Sequence, residues 1–380
     1  MQMRNQEGGG PFCDTVVLAK LGINVSPIGR RVRVSATEKA ASMTAPVTRD
    51  HQTPTHATIS RRIARNIKRF PQIAAILSLT GICIIFGSLS RYFLTITTWG
   101  EILATGAELG IIAVPMALLM ISGNIDLSVG SIYALSGMIF LSLLNAGTHP
   151  ILALTGALAS SAVVGLVNGA IVVSMRIHSF IVTLGMMMFI RGILLVWTGG
   201  FAVEYRGGST GVLTLLDLLA GPIGGSPVRM SAVWLILTTV GFSFVLGKTR
   251  HGNWSLAVGG DHESARDEGV LVNRVQVINF ILVGLFSGLS GLVLVGRMTS
   301  AFPTLGVMYE LEAIASAVMG GCLLMGGAGS VFGAFIGALL MSTMRIGLVL
   351  AGAPAYWYQA FIGLLVILAV VIRDRIERLS

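Results

Sequence analysis

Charge is what this sequence has least of. Asp, Glu, Lys and Arg make up 11% of its 380 residues, against roughly a quarter in an average soluble domain. With 54% hydrophobic residues and a mean hydropathy of +0.82, a water-soluble globule is excluded, and the composition is that of an all-α integral membrane protein. Cysteine is nearly absent. Cys13, Cys83 and Cys322 are scattered, form no C-x-x-C and have no His beside them, which argues against a disulfide framework or a thiolate metal site. No His/Asp metal cluster, nucleophile elbow or group of carboxylates is visible, so no catalytic and no metal-binding residues are assigned. Residues 241–249 end Gly247-Lys248-Thr249 like a phosphate loop, but five residues rather than four separate the glycines and most of the stretch is apolar. ATP is therefore not expected to bind this chain by that route, and no cofactor is expected on it.

The basic excess does not point to nucleic acid. Residues 1–70 hold twelve Lys/Arg against four Asp/Glu, whereas the rest of the chain holds fourteen against thirteen. The formal charge of +9 thus belongs to a tail, and no basic face remains for a nucleic-acid partner. Residues 1–60 have no helical or strand period and are dotted with Gly, Pro, Ser and Thr, so they are expected to form a disordered cytoplasmic tail. Met43, followed by a short polar run and then basic residues, is a possible true start.

Long uncharged runs are what the chain has in abundance. Runs near twenty apolar residues predict ten spans at 71–90, 102–121, 129–145, 151–174, 180–199, 231–247, 276–297, 311–326, 331–350 and 356–372. The eighth is short for a bilayer, hence broken or reentrant. With both termini in the cytoplasm, thirteen Lys/Arg fall on cytoplasmic segments and only Arg91, Arg206, Arg229 and Arg297 on outer segments or rims, as the positive-inside rule requires. The transmembrane domain is then 61–380. Gly329, Gly333 and Gly337 form a doubled G-x-x-x-G that lets helix backbones approach closely; Gly165/Gly169 and Gly284/Gly288 repeat the spacing, with less weight in a chain of 48 glycines.

Between two spans free of Asp, Glu, Lys and Arg lies the densely charged loop 248–275. Within it, residues 261–269 read as a short helix, with Asp261 as N-cap, Glu263 in the first turn and Gly269 as the stop. Glu263 and Arg266, three apart, can pair on one face. The order Glu263-Ser264-Ala265, three residues, Gly269 resembles the E-A-A-x-x-x-G loop by which permeases of ABC importers touch their ATPase subunits, with Ser264 in the second place. Ala257-Val258-Gly259-Gly260 also resembles the sugar branch of that group. Residues 121–131, including Gly123-Asn124-Ile125-Asp126-Leu127-Ser128-Val129-Gly130-Ser131, are similar to the G-G-I-D-L-S-V-G-S signature of ribose-type sugar permeases, with Asn124 for a Gly. Pro303-Thr304-Leu305-Gly306, Tyr309-Glu310-Leu311-Glu312-Ala313-Ile314-Ala315, Gly326-Gly327-Ala328-Gly329-Ser330 and the stretch His178 to Gly185 also fit that family.

The resemblance covers about 70–375. It implies a ten-helix permease of the vitamin-B12-importer type (type II), in the bacterial inner membrane. It also implies three partners: a cytoplasmic ABC ATPase that binds ATP-Mg, a second permease copy (the same chain or a different one) and a periplasmic sugar-binding protein. Glu263, Ser264, Ala265, Arg266 and Gly269 are then the ATPase-coupling residues. Candidates for the substrate pathway are Glu108, Asn124, Asp126, Ser128, Thr183 and Arg191. Asp126 has a second reading as a cap on the amide of residue 128 or 129. An ion-coupled carrier built on Glu108, Arg191 and Arg345 is the alternative, as are branched-chain amino-acid or nucleoside permeases within the same group. Counting residues inward from the span ends brings Glu108, Arg191 and Arg345 to similar depths. Glu108 is therefore expected to pair with Arg191 first or Arg345 second, Arg345 having Glu312 as an alternative partner.

Overall fold

The computed structural model describes residues 72–354, 357–364 and 367. The expected tail 1–60, its Met43, the basic cluster at 61–69 and both chain termini lie outside the described residues, as does the last part of the expected tenth span.

The described residues form helices joined by short turns. In order these are α1 (Gln72–Leu89), α2 (Ile96–Ile121), α3 (Val129–Asn145), α4 (Pro150–Met175), α5 (Ser179–Thr198), α6 (Thr210–Ala220), α7 (Met230–Lys248), α8 (Arg250–Gly260), α9 (His262–Asp267), α10 (Val272–Met298), α11 (Tyr309–Met319) and α12 (Val331–Leu350). Residues 357–364 are helical as well. Two dipeptide strands, β1 (Val203–Glu204) and β2 (Ser300–Ala301), pair antiparallel with Val203 opposite Ala301. Seven of these helices (α1, α2, α4, α5, α7, α10 and α12) are long and apolar enough to cross a membrane. Among the expected spans, α3 has 17 residues and α11 only 11.

α2 sits at the centre. Its second half, Leu109 to Ile121, is apolar on every side, and a helix segment with no polar stripe has to be enclosed by others. From Ala104 to Ile121 only Thr105 escapes full burial, with α12, α10, α7 and α11 packed around it. Thr95 caps its start by accepting from the Thr98 amide at 3.4 Å. Its end comes at Gly123, whose φ of +84° is costly for a residue with a side chain. Outside this core, α4 and α3 pack on α10, and α1 packs on α12.

Glycine decides where the helices touch. At the α4–α10 crossing, a Cβ on Gly284 would meet the Ser161 carbonyl at 2.6 Å and the Gly165 Cα at 3.1 Å, and one on Gly169 would meet Val277 and Phe280. The small-residue spacing on these two helices thus carries as much of the packing as the doubled one. On α12, a Cβ on Gly333 would strike the backbone of Gly320 and one on Gly337 the Ser316 carbonyl. Gly329 precedes α12 and faces Cys322 and Ile121.

Three elements depart from expectation. The span predicted at 311–326 stops at Met319, because Gly320 and Gly321 (φ +97°) begin a turn that reaches Ser330. α6 and α8 were not foreseen. α6 is too short to show as an apolar run, yet it presses Val212, Leu216 and Leu219 into the core. α8 carries polar residues that read as loop.

Gly333→Leu is expected to lower the aggregation temperature in detergent by about 5 °C or more, since overpacking a closed contact costs on the order of 1–3 kcal/mol. Gly241→Leu, at a helical position where a Cβ meets nothing within 4 Å, is expected to change it little. Equal losses would show that the α11–α12 contact tolerates a side chain. Gly352 is equally open, but its φ of +79° makes it an unsuitable control.

Candidate functional site

The charged loop folds as two short helices, α8 and α9. Thr249 caps α8, its Oγ1 accepting from the Gly252 amide at 3.3 Å. Asp261 caps α9, accepting from the Ser264 amide at 2.6 Å. That hydrogen bond holds the exposed Asp261 carboxyl below the usual carboxylate range. The cap is therefore in place above the ordinary carboxylate pKa and is lost as pH falls through the lowered value. At the other end the Gly269 amide donates to the Arg266 carbonyl at 2.9 Å and the Val270 amide to that of Ala265 at 3.0 Å, with Gly269 at φ +81°. This is the left-handed termination that glycine favours. Ala265 is buried with Val258, Val272 and Val275 against Trp254. Glu263, Ser264 and Arg266 face outward. The expected Glu263–Arg266 pair does not form, as no ion pair among the described residues includes either one. Both side chains instead line an open cavity of about 780 Å³, together with Asn124, Arg176, His178 and His262.

This module is fastened to the core through groups that the sequence did not single out. Asn279 of α10 donates from Nδ2 to Ser122 Oγ (3.0 Å) and Ser255 Oγ (3.2 Å), and its Oδ1 accepts from His251 Nε2 at 2.7 Å. Gln276 Nε2 donates to His262 Nε2 at 2.9 Å. Gly259 lies flat against the Ile121 carbonyl, which also accepts from the Gly327 amide at 2.9 Å. A Cβ on Gly259 would overlap that carbonyl, and one on Gly326 would lie 2.9 Å from both the Gly123 Cα and the Gly259 carbonyl. The end of α8, the end of α2 and the turn before α12 thus meet backbone to backbone.

The stretch after α2 is buried and hydrogen-bonded to itself and its neighbours. Asp126 accepts from the Ser128 amide (2.7 Å), Ser128 Oγ (2.6 Å) and Asn168 Nδ2 (3.2 Å), and Asn168 also donates to Ser128 Oγ at 2.9 Å. Thr183 Oγ1 accepts from the Leu127 amide at 3.0 Å and donates to the Ser179 carbonyl at 2.8 Å. Asp126, Ser128 and Thr183 are each 0% exposed. Their visible work is to fix the backbone entering α3, whereas Gly123, Asn124 and Ser179 border the cavity.

The expected pairing of Glu108 is corrected. Glu108, halfway along α2 and 1% exposed, binds Arg297 of α10, with Nη2 at 2.8 Å and Nε at 3.0 Å from Oε1. Arg297 also reaches Glu101 at 3.6 Å. Arg191 donates instead to the carbonyls of Pro303 (2.6 Å) and Leu305 (2.7 Å). Arg345 places Nη2 2.6 Å from each Glu312 oxygen and stacks over Tyr358 at 4.6 Å. Matching depths by residue count leaves out the reach of a long side chain. Here Ser290 of α10 lies beside Glu108 and donates to its carbonyl, and Arg297, about two turns further on, reaches back from the rim to the buried carboxylate.

A family model described as "Branched-chain amino acid transport system / permease component" matches residues 98–370. The ribose import permease protein RbsC of Escherichia coli K12 is 36% identical over 302 residues, covering 79% of this chain and 92% of its own length. RbsC of Bacillus subtilis 168 is 36% identical over 266 residues, with 70% and 81% covered. The autoinducer 2 import system permease protein LsrC of Enterobacter sp. 638 is 35% identical over 302 residues, with 79% and 84% covered.

Breaking a buried ion pair from one side leaves an uncompensated charge at a cost of about 3–5 kcal/mol. Glu108→Gln is therefore expected to lower detergent stability, and adding Arg297→Gln to recover part of the loss. Glu108→Gln with Arg191→Gln is expected to be additive. Additivity with Arg297 in a thermal-shift double-mutant cycle would refute the pairing.

Proposed function

The chain belongs to this family of transport-system permease components, and we propose that it imports a monosaccharide or similar small polyhydroxylated solute as the membrane subunit of an ABC importer. It is a transport subunit rather than an enzyme, and a multi-pass protein of the inner membrane. Family membership implies an ABC ATPase and a periplasmic binding protein as partners. The finer arrangement is our own reading. α8 and α9 face the cytoplasm and meet the ATPase, which binds and hydrolyses ATP-Mg. A second permease, the same chain or a relative, completes the membrane unit, which is otherwise surrounded by lipid, and the chain has no nucleic-acid partner. Both termini lie in the cytoplasm, and the fold is of the vitamin-B12-importer type with about ten spans. The sugar assignment draws on the ribose and autoinducer 2 importers among the relatives.

One observation carries this reading. The outward face of α9 presents Glu263, Ser264 and Arg266, while Ala265 is buried and Gly269 closes the helix. A short helix that is exposed on one side and joined on the other to the end of the central helix is suited to transmit a push from a partner. The paired states of Glu108 and Glu312 favour helix-holding roles over ion coupling.

Arg266→Glu reverses charge on the proposed docking face, and Gly269→Pro removes both a left-handed stop and an amide donor. Each is expected to cut co-purification of the ATPase about tenfold or more, since one misplaced interfacial charge costs several kcal/mol, while the detergent-solubilised permease stays monodisperse. Wild-type co-purification and solute-stimulated ATP hydrolysis in both variants would make α9 a plain linker.

A further inference from the structure

Most buried charges in the membrane body are matched: Glu108 by Arg297, Glu312 by Arg345, and Asp126 by Ser128 and Asn168. Glu310 is different. It lies in the first turn of α11 and is only 9% exposed, and its buried Oε2 accepts no hydrogen bond. A carboxylate oxygen without a donor in a nonaqueous interior is costly. The helix N-terminus compensates part of the charge, the amides of Met308 and Glu310 itself acting on the carboxylate. Arg191 is its nearby opposite charge, yet the two form no ion pair, since that guanidinium donates to Pro303 and Leu305.

Glu310 lies where α3 and the segment leading into α11 pack closely together. A Cβ on Gly130 would sit 2.7 Å from Glu310 Oε2, so only a glycine of α3 fits beneath the carboxylate. Gly306 (φ +69°) packs its backbone on Gly130. Met308 holds φ +74°, a left-handed conformation unfavourable for a residue with a side chain. Between β2 and α11 the backbone is therefore pinned by Arg191 and bent by two left-handed residues. Phe302, Thr304 and Val307 are exposed along it, as is Leu311 beyond Glu310.

We propose that Glu310 is a solute-contacting residue of the translocation path, whose free oxygen accepts hydroxyl hydrogens of a neutral polyol when residues 302–308 move aside. The inference rests on the import reading above. A polyol supplies the missing O–H donors, whereas a solute bearing its own carboxylate is repelled. Arg191 is the positioning residue, holding residues 302–308 through its two carbonyl contacts.

The test uses the whole importer, permease with its ATPase and binding protein, in proteoliposomes, with D-ribose, 2-deoxy-D-ribose and L-leucine as probes. Glu310→Gln is expected to cut ribose uptake about tenfold, as for loss of one charged hydrogen bond. The same variant should narrow the ribose to 2-deoxyribose ratio, while ATPase co-purification is unchanged. Glu310→Asp, which retains the carboxylate, should restore most of the ribose rate. Wild-type uptake by the Gln variant, or an equal fall for both sugars, overturns the proposal and leaves the import reading intact. Uptake of leucine alone by the wild-type importer overturns both. If the Gln variant does not assemble, Glu310→Ala takes its place: a narrowed ribose to 2-deoxyribose ratio supports a solute contact, and an unaltered one refutes it.

Discussion

The carbonyl of Ile121 closes the central helix, and two other chain segments converge on it without a side chain between them. Gly259 lies against it and Gly327 donates to it. A backbone can approach a carbonyl this closely only where the approaching residue lacks a Cβ. The consequence is mechanical. α2 is enclosed by four helices, so a displacement of its end is passed to α10, α11 and α12 at once. The α8–α9 module, attached through Gly259 and the Asn279 hydrogen bonds, is the part of the described structure that touches that end and also presents a polar face outward.

The charges within the membrane body serve a different purpose. Burying an ion in hydrocarbon is tolerable when a partner is close, and the Glu108–Arg297 and Glu312–Arg345 pairs each join two helices. They hold α2 to α10 and α11 to α12. A path for a neutral solute needs unsatisfied polar groups instead, and Glu310 provides one. The same bundle thus separates groups that hold it together from a group left open for use.

Much of this was legible in the chain. The apolar runs locate the long helices, since a bilayer span needs little beyond length and absence of charge. The α9 cap and stop were readable because Asp261 and Gly269 act within one helical turn. Tertiary partners were not. Arg297 sat at a rim by residue count, although the crossing of α10 and α2 brings it to Glu108. Asn279 and Gln276 are lone polar residues in an apolar helix, a signal present in the sequence but silent about what they bind. Gly259 was quoted only as part of a resemblance, because the need for a missing side chain becomes visible only when the opposing carbonyl is in place.

The mechanical role of the Ile121 contact is tested most directly by Gly259→Ala beside Gly260→Ala in the reconstituted importer, measuring solute moved per ATP hydrolysed. A Cβ at 259 overlaps the Ile121 carbonyl, whereas one at 260 meets nothing within 4 Å. Gly259→Ala is predicted to lower the ratio about tenfold, since overpacking costs on the order of 1–3 kcal/mol, with ATPase binding retained, and Gly260→Ala to leave it unchanged. Wild-type coupling in Gly259→Ala would contradict the account.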